Sequence, residues 1–288
     1  MKKLLWLFVA PILITSCKKD SDTSPVPNPE IKTCTLTEVR DSLSNKRTQT
    51  FEYDASGRLS KISRYDFSTD SLIEFSTFTY DGNTCLLKSY DSNGTESGTG
   101  SLFLNSNGYV TLNRSSRKDI NNGGTIPEMR QDSVIITYNQ SGQILTYTGH
   151  YWSTFPNDSI GKGDVRSTVY EYTNGRLSRI NLEVTSDGQP FETEITTYLY
   201  NDDSPLVSSN PSFNFFSAPG VTLFGKPFSD KIPASAAISS TWLGQTSNSS
   251  KTFSATVDAK GNPVRFRVTS DNGGSAPSNT TLYSYNCP

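Results

Sequence analysis

One short run of the sequence carries side chains typical of a binding site. Residues 149–155 contain His150, Tyr151 and Trp152 at the end of a strand-forming stretch. Tyrosine and tryptophan rings are flat and amphipathic, so they stack on sugars or fill a pocket on a partner protein. Trp242 is a further candidate, although residues 240–244 fit a core strand equally well. The candidate ligand-binding residues are therefore His150, Tyr151, Trp152 and Trp242, and the alternative is that these rings pack on a sheet.

Residues that could perform catalysis or hold a metal are scarce. His150 is the single histidine, so a serine nucleophile has no other histidine as its base, and the Gly-x-Ser-x-Gly motif is absent. Clusters of histidine and cysteine for a metal are absent as well. Asp-rich turns at 91–94 and 271–274 lack the bidentate glutamate of a calcium loop. We predict no catalytic residues, no metal and no cofactor; a glycoside hydrolase, whose two carboxylates meet in space, is a remote alternative.

The N-terminus has the pattern of an export signal. Lys2 and Lys3 precede an apolar stretch at 4–14, which is too short to span a bilayer as a stable helix. Residues 14–17 resemble a lipobox, in which a branched apolar residue and two small residues precede a lipid-modified cysteine. The sequence predicts a lipoprotein signal peptide at 1–16 and lipidation of Cys17. The alternative is an ordinary signal peptide that contains a cysteine.

The segment after the signal peptide indicates where in the cell the protein is located. Residues 17–30 are rich in serine, proline and aspartate, as is typical of a flexible tether. Lys18 stands at the second mature position, where many lipoproteins retained at the inner membrane have aspartate. Two or three acyl chains on Cys17 hold a membrane stably. We therefore expect a lipid-anchored protein of the outer membrane, either exposed at the cell surface or facing the periplasm.

The composition of the remaining body, residues 31–288, favours one β domain. Without Lys2 and Lys3, the 26 basic residues become 24 against 28 acidic residues, a formal charge of about −4. Such a weakly acidic surface offers no electrostatic footprint for nucleic acid. Tyrosine, phenylalanine, serine and threonine dominate the body, and these residues favour strands.

A hairpin pattern recurs along this body. Two aromatic or apolar residues separated by one are followed by Asp or Asn, by a short turn containing glycine, and by a second alternating run. The clearest copies are residues 51–62 and 170–180, with looser ones at 78–82, 103–108, 138–142 and 255–261. Asp and Asn suit the start of the turn, glycine supplies the positive φ, and alternation with period two gives each strand one apolar face.

These hairpins must share their apolar faces, because a lone hairpin is marginal in water. The pattern predicts an all-β fold, an antiparallel up-and-down meander of about 14 strands that curls into a barrel or partial barrel or splits into a sandwich. Curling hides the edge strands and brings the two ends of the sheet together. It thereby predicts a disulfide between Cys34 and Cys287, against the alternative of free buried thiols. Residues 202–240 contain five prolines and few alternating runs. This segment is predicted to pack across the sheet or plug its opening.

Two resemblances follow from these motifs. Residues 53–59, Tyr-Asp-Ala-Ser-Gly-Arg-Leu, resemble the tyrosine-aspartate (YD) repeat of bacterial surface and toxin-shell proteins. The whole chain resembles a family of Bacteroidetes-type lipoproteins of unknown function with a porin-like fold, through the lipobox, residues 34–38, the hairpins, and residues 223–227 with 231–233. The resemblance implies a porin-like fold and an outer-membrane address, with no known reaction. We expect this barrel to be soluble rather than membrane-spanning, because the apolar face of each strand is already needed for a core.

The anchor, the tether and the hairpins together favour a cell-envelope lipoprotein that binds a ligand without catalysis. A glycan or another surface ligand is the expected partner, beside the membrane that the lipid on Cys17 contacts. The alternative is a structural, assembly or adhesion lipoprotein that docks a partner protein.

Overall fold

The structure is a computed structural model that describes residues 34–118, 129–154, 163–207, 228–271 and 278–287. The predicted signal peptide, Cys17 and the predicted tether at 17–30 lie outside the described residues. So do residues 208–227, the middle of the predicted proline-rich excursion.

The described residues form sixteen antiparallel strands, each paired with the next along the chain, and the last pairs with the first. The strands are β1 (Thr35–Asp41), β2 (Arg47–Tyr53), β3 (Leu59–Tyr65), β4 (Leu72–Asp81), β5 (Thr84–Asp91), β6 (Glu96–Leu104), β7 (Val110–Lys118), β8 (Met129–Tyr138), β9 (Ile144–Thr154), β10 (Asp164–Thr173), β11 (Arg176–Ser186), β12 (Gln189–Leu199), β13 (Ser235–Trp242), β14 (Gln245–Val257), β15 (Pro263–Asp271) and β16 (Ser278–Asn286). This confirms the all-β up-and-down meander and selects the closed barrel over the sandwich. The expected count of fourteen was low because strands such as β14 are mostly polar and show little apolar alternation.

The barrel has two ends, which differ in their connections. The terminal end holds the turns at 54–58, 105–109, 139–143, 174–175 and 258–262 together with Cys34 and Cys287. The distal end holds the turns at 42–46, 66–71, 92–95, 187–188 and 243–244. A disulfide joins Cys34 to Cys287 across a sequence separation of 253 residues, beside the pairing of β1 with β16 that closes the barrel. Cys85 is a buried free thiol.

The turns of the predicted repeat follow one chemistry, seen at residues 54–58. The Asp54 carboxylate accepts hydrogen bonds from the backbone amides of Ser56 and Arg58, both at 2.9 Å. These hydrogen bonds hold the pKa of Asp54 below its usual range, and the bond from the Arg58 amide has the largest effect. Gly57 has φ of 75°, which explains the glycine of the motif. Asn105, Asn139 and Asp258 begin equivalent turns.

The tyrosine of the repeat ties each hairpin to the strand before it. Five tyrosines at or just beyond the ends of even-numbered strands donate their hydroxyl protons to a backbone carbonyl near the start of the preceding strand. The pairs are Tyr53 with Leu36 (2.8 Å), Tyr80 with Leu59 (3.0 Å), Tyr138 with Val110 (2.6 Å), Tyr172 with Ile144 (2.8 Å) and Tyr200 with Leu177 (3.0 Å). Each accepting residue is buried. These tyrosines are therefore structural, and they line the apolar core that fills the terminal end.

The described flanks of the proline-rich excursion enter this core. Phe228 is buried and stacks on Tyr170 with ring centroids 5.4 Å apart, and its carbonyl accepts a hydrogen bond from the Leu177 amide at 2.9 Å. Asp230 pairs with Arg176 at 2.7 Å. The flanks thus plug the terminal end, one of the two placements expected. The predicted bounds of 202–240 extend too far, because β13 begins at Ser235.

Candidate functional site

The predicted aromatic cluster on β9 is divided by the strand's own pleat. Successive side chains of a strand point to opposite faces. Tyr151 faces the interior, where its hydroxyl lies 2.5 Å from that of buried Tyr147. His150 is exposed on the outer wall, and Trp152 shares that face, donating from its indole nitrogen to Gln131 Oε1 at 2.6 Å. The pleat therefore does not place these three neighbours on one face of the sheet.

Trp242 does not join them either. It ends β13 at the distal end, opposite Glu192 of β12, and strands β10 to β12 separate it from β9. Its ring is 58% exposed and meets Phe191 edge-on at 6.0 Å. Because the ring is exposed, Trp242 is not a core residue either.

A groove on the outer wall of β5 to β9 brings Trp152 together with residues that the sequence did not indicate. This outer groove has a volume of about 660 Å³. Its outward-facing side chains are Leu86, Lys88, Thr99, Ser101, Arg114, Ser116, Gln131, Ser133 and Trp152. Four of these side chains, Thr99, Ser101, Ser116 and Ser133, carry small hydroxyl groups and lie on the three middle strands, where Arg114 and Gln131 also lie.

The register of the sheet arranges this lining in two rows. Cross-strand pairing runs from Lys88 through Thr99, Ser116 and Gln131 to Trp152. At about 4.8 Å per strand, Lys88 and Trp152 lie roughly 19 Å apart. The second row, two residues nearer the terminal end on each strand, runs from Leu86 through Ser101 and Arg114 to Ser133. The outer groove is therefore an elongated trough, long enough for an extended ligand.

Two glycines on the inner face let the wall behind this trough pack closely. A Cβ atom on Gly98 would lie 2.8 Å from Arg117 Cβ and 2.9 Å from the Ser116 carbonyl. A Cβ on Gly100 would lie 3.2 Å from the Arg114 carbonyl. Glycine inside a strand marks such a close approach of two backbones, and it was the one sequence signal that could have indicated this part of the wall.

The lining of the outer groove contains two cations, Lys88 and Arg114, and one carboxylate, Asp132. Lys88 Nζ lies 3.0 Å from Glu96 Oε2, and this hydrogen bond raises the pKa of Lys88. Arg114 is exposed and forms no ion pair with any residue in the described ranges. Asp132 also lines the groove. In the register it pairs with Ser115 and Tyr151, so it belongs to the inward-facing set of residues. The outer groove thus combines a fixed indole ring, small hydroxyl groups and an arginine.

Neither a metal site nor a membrane-spanning helix is found within the described part of the chain. No group of three or more His, Cys, Asp or Glu residues there is placed to hold a metal ion. Nor does that part contain a helix long and apolar enough to cross a membrane.

The described residues define the class of protein as a closed, antiparallel, porin-like β-barrel. The chain is similar in structure to a porin-like protein from Bacteroides uniformis ATCC 8492, with a TM-score of 0.54 and 17% identity over 89% of this chain and 96% of that one. It is also similar to a porin-like protein from Bacteroides vulgatus ATCC 8482, with a TM-score of 0.58 and 17% identity over 88% of this chain and 99% of that one. No protein-family model and no curated protein matches the sequence. The likenesses confirm the porin-like fold.

Proposed function

We propose that this chain is an envelope lipoprotein, anchored in the outer membrane through lipid on Cys17, that binds a glycan in the outer groove without catalysis. The observation that carries the proposal is that Trp152, held by Gln131, lines one groove with the hydroxyl groups of Thr99, Ser101, Ser116 and Ser133. An indole face stacks on the apolar face of a sugar, while serine and threonine hydroxyls donate to and accept from sugar hydroxyls. The hydrogen bond to Gln131 holds the ring in place before the ligand arrives, which lowers the entropy lost on binding.

The outer wall supports a barrel that stands in water. Its outward face carries charged residues within strands, including Lys61, Glu183 and Arg265. A membrane-spanning barrel needs an outward apolar band, and charges at these positions would be costly in hydrocarbon. An aqueous outer wall leaves the outer groove accessible to a polar ligand.

The path of the chain supports display of the groove. Strand β1 begins at the terminal end, so the proposed tether, which precedes β1 in the chain, would join the barrel there. Trp152 lies two residues before the end of β9 at the distal end. The tryptophan is therefore carried on the half of the barrel opposite the attachment point.

Binding to a glycan array and isothermal titration of the best binders test this proposal. We expect Trp152→Ala to weaken binding at least about tenfold, the usual effect of removing an aromatic anchor. Trp242→Ala is the matched control, because it removes an exposed tryptophan outside the groove, and it should leave affinity unchanged. Absence of binding to every glycan, or equal effects of the two variants with both folds intact, would refute the proposal.

Docking of a partner protein is the second candidate function, and the distal end favours it. Three hairpin tips there expose large apolar side chains: Leu43 at 89%, Phe67 at 64% and Leu243 at 70%. Exposed apolar groups of this kind mark interaction surfaces when they lie together. Crosslinking in membranes, followed by the Phe67→Ser variant, separates the two functions: a stoichiometric protein partner lost in this variant supports docking.

A further inference from the structure

The charge of the outer groove indicates which glycans it would hold. We propose that the outer groove selects acidic oligosaccharides, and that Arg114 binds their carboxylate or sulfate groups. This inference rests on the proposed glycan-binding function. It goes further by naming the ligand class and the residue that binds the acid groups of the ligand.

Arg114 occupies the centre of the trough. It lies on β7, the middle strand of the five, and its register partners on either side are Ser101 and Ser133. Both neighbours are small and neutral, so they leave the guanidinium accessible and can donate hydroxyl protons to the same anion. Within the described residues, Arg114 forms neither an ion pair nor a side-chain hydrogen bond. Its donors are therefore available to a ligand.

A guanidinium is suited to this role. Its planar fork binds the two oxygens of a carboxylate or sulfate at once, through hydrogen bonds stronger than neutral ones. Lys88 contributes less, because Glu96 already neutralises it. Arg114 should consequently carry most of the preference for an acidic ligand.

The spacing of Arg114 from Trp152 suits an oligosaccharide. The two residues are two strands and one pleat repeat apart, which corresponds to roughly 12 Å at the usual strand spacing and rise. An oligosaccharide is long enough to span this backbone separation, with one sugar ring stacked on Trp152 and the acid group of a neighbouring unit on Arg114.

The test compares an acidic ligand with its own neutral form. The strongest acidic binder on a glycan array is titrated calorimetrically, beside the same oligosaccharide after its acid groups are chemically reduced or removed. We expect the wild type to bind the acidic form at least about tenfold tighter, as a charged hydrogen-bonded contact would give. Arg114→Gln should remove this preference. Raising the salt concentration should reduce the preference, because the contact is exposed.

Arg265→Gln is the matched control, because it makes the same charge change on the outer wall of β15, away from the groove. It should leave both affinities unaltered, and thermal unfolding shows whether both variants are folded. The inference is overturned if the wild type binds both forms equally, or if the two arginine variants behave alike. Trp152-dependent binding without acid preference would leave the proposed function standing, whereas no binding to any glycan would remove both.

Discussion

The hydroxyl of Tyr172 should make a measurable contribution to stability that its ring alone does not. Tyr172 donates to the Ile144 carbonyl at 2.8 Å, and Ile144 is only 2% exposed. This carbonyl lies where the pairing of β8 with β9 shifts register beside the turn, so the tyrosine satisfies an acceptor in an irregular part of the ladder. Tyr172→Phe keeps the ring and removes the donor.

The expected cost combines two effects. Losing the net hydrogen bond costs about 1 kcal/mol, and leaving a buried acceptor without its partner brings the total to about 1–3 kcal/mol. For a barrel of this size, each kcal/mol lowers the melting temperature by about 2–4 °C. Urea unfolding followed by circular dichroism, with the disulfide kept oxidised, measures the change in the free energy of unfolding.

Tyr90→Phe is the control for this measurement. Tyr90 lies on the outer wall, where its ring stacks on Phe75 at 4.8 Å, and removing its hydroxyl should change stability by no more than about 0.5 kcal/mol. If Tyr172→Phe were as mild as Tyr90→Phe, the tie between the repeat tyrosine and the preceding strand would not stabilise the barrel. The structural account of the repeat would then be wrong.

Two further predictions concern the same end of the barrel. Burial raises the pKa of Tyr53 to about 12 and raises that of the other tying tyrosines as well. Unfolded tyrosines ionise near pH 10, so stability should be complete below about pH 10 and fall as the pH rises from there through the folded pKa values; equal urea midpoints at pH 8 and pH 11 would contradict this. Replacing both Cys34 and Cys287 by serine should lower the free energy of unfolding by about 5 kcal/mol, because the disulfide closes a very long loop in the unfolded chain. Urea unfolding of the double variant measures this loss, and a change under about 1 kcal/mol would show that the pairing of β1 with β16 holds the ends without the bond.

The residues of the repeated motif all have structural roles, so the motif predicts the fold but not the activity. In residues 53–57, Tyr53 ties adjacent strands, Asp54 organises the turn and Gly57 permits its positive φ. Each conspicuous residue of the unit is thus engaged in building the hairpin. The side chains of the outer groove lie elsewhere on the strands, at positions with no recurring motif.

Much of the fold could be read from the chain because its signals are local. Alternation and turn residues predicted the hairpins. The size of the sheet predicted that it curls into a full or partial barrel or splits into a sandwich, and the structure selects the closed barrel. The start of β13 at Ser235 and the polar part of β14 before residue 255 escaped notice. Their side chains alternate weakly, and they form strands because neighbouring strands offer hydrogen-bond partners.

The candidate site depended on information that is not local. Sequence alone determined that this chain forms antiparallel hairpins with one apolar face each, since period-two alternation and turn chemistry act within a few residues. Only the tertiary structure decided which outward side chains meet, because the register between strands sets Lys88, Arg114 and Trp152 on one trough. The pleat likewise sends Tyr151 inward beside two outward neighbours, and curvature places Trp242 on another part of the wall. Adjacency along the chain therefore suggested a cluster that the barrel divides, while residues distant in sequence share the groove.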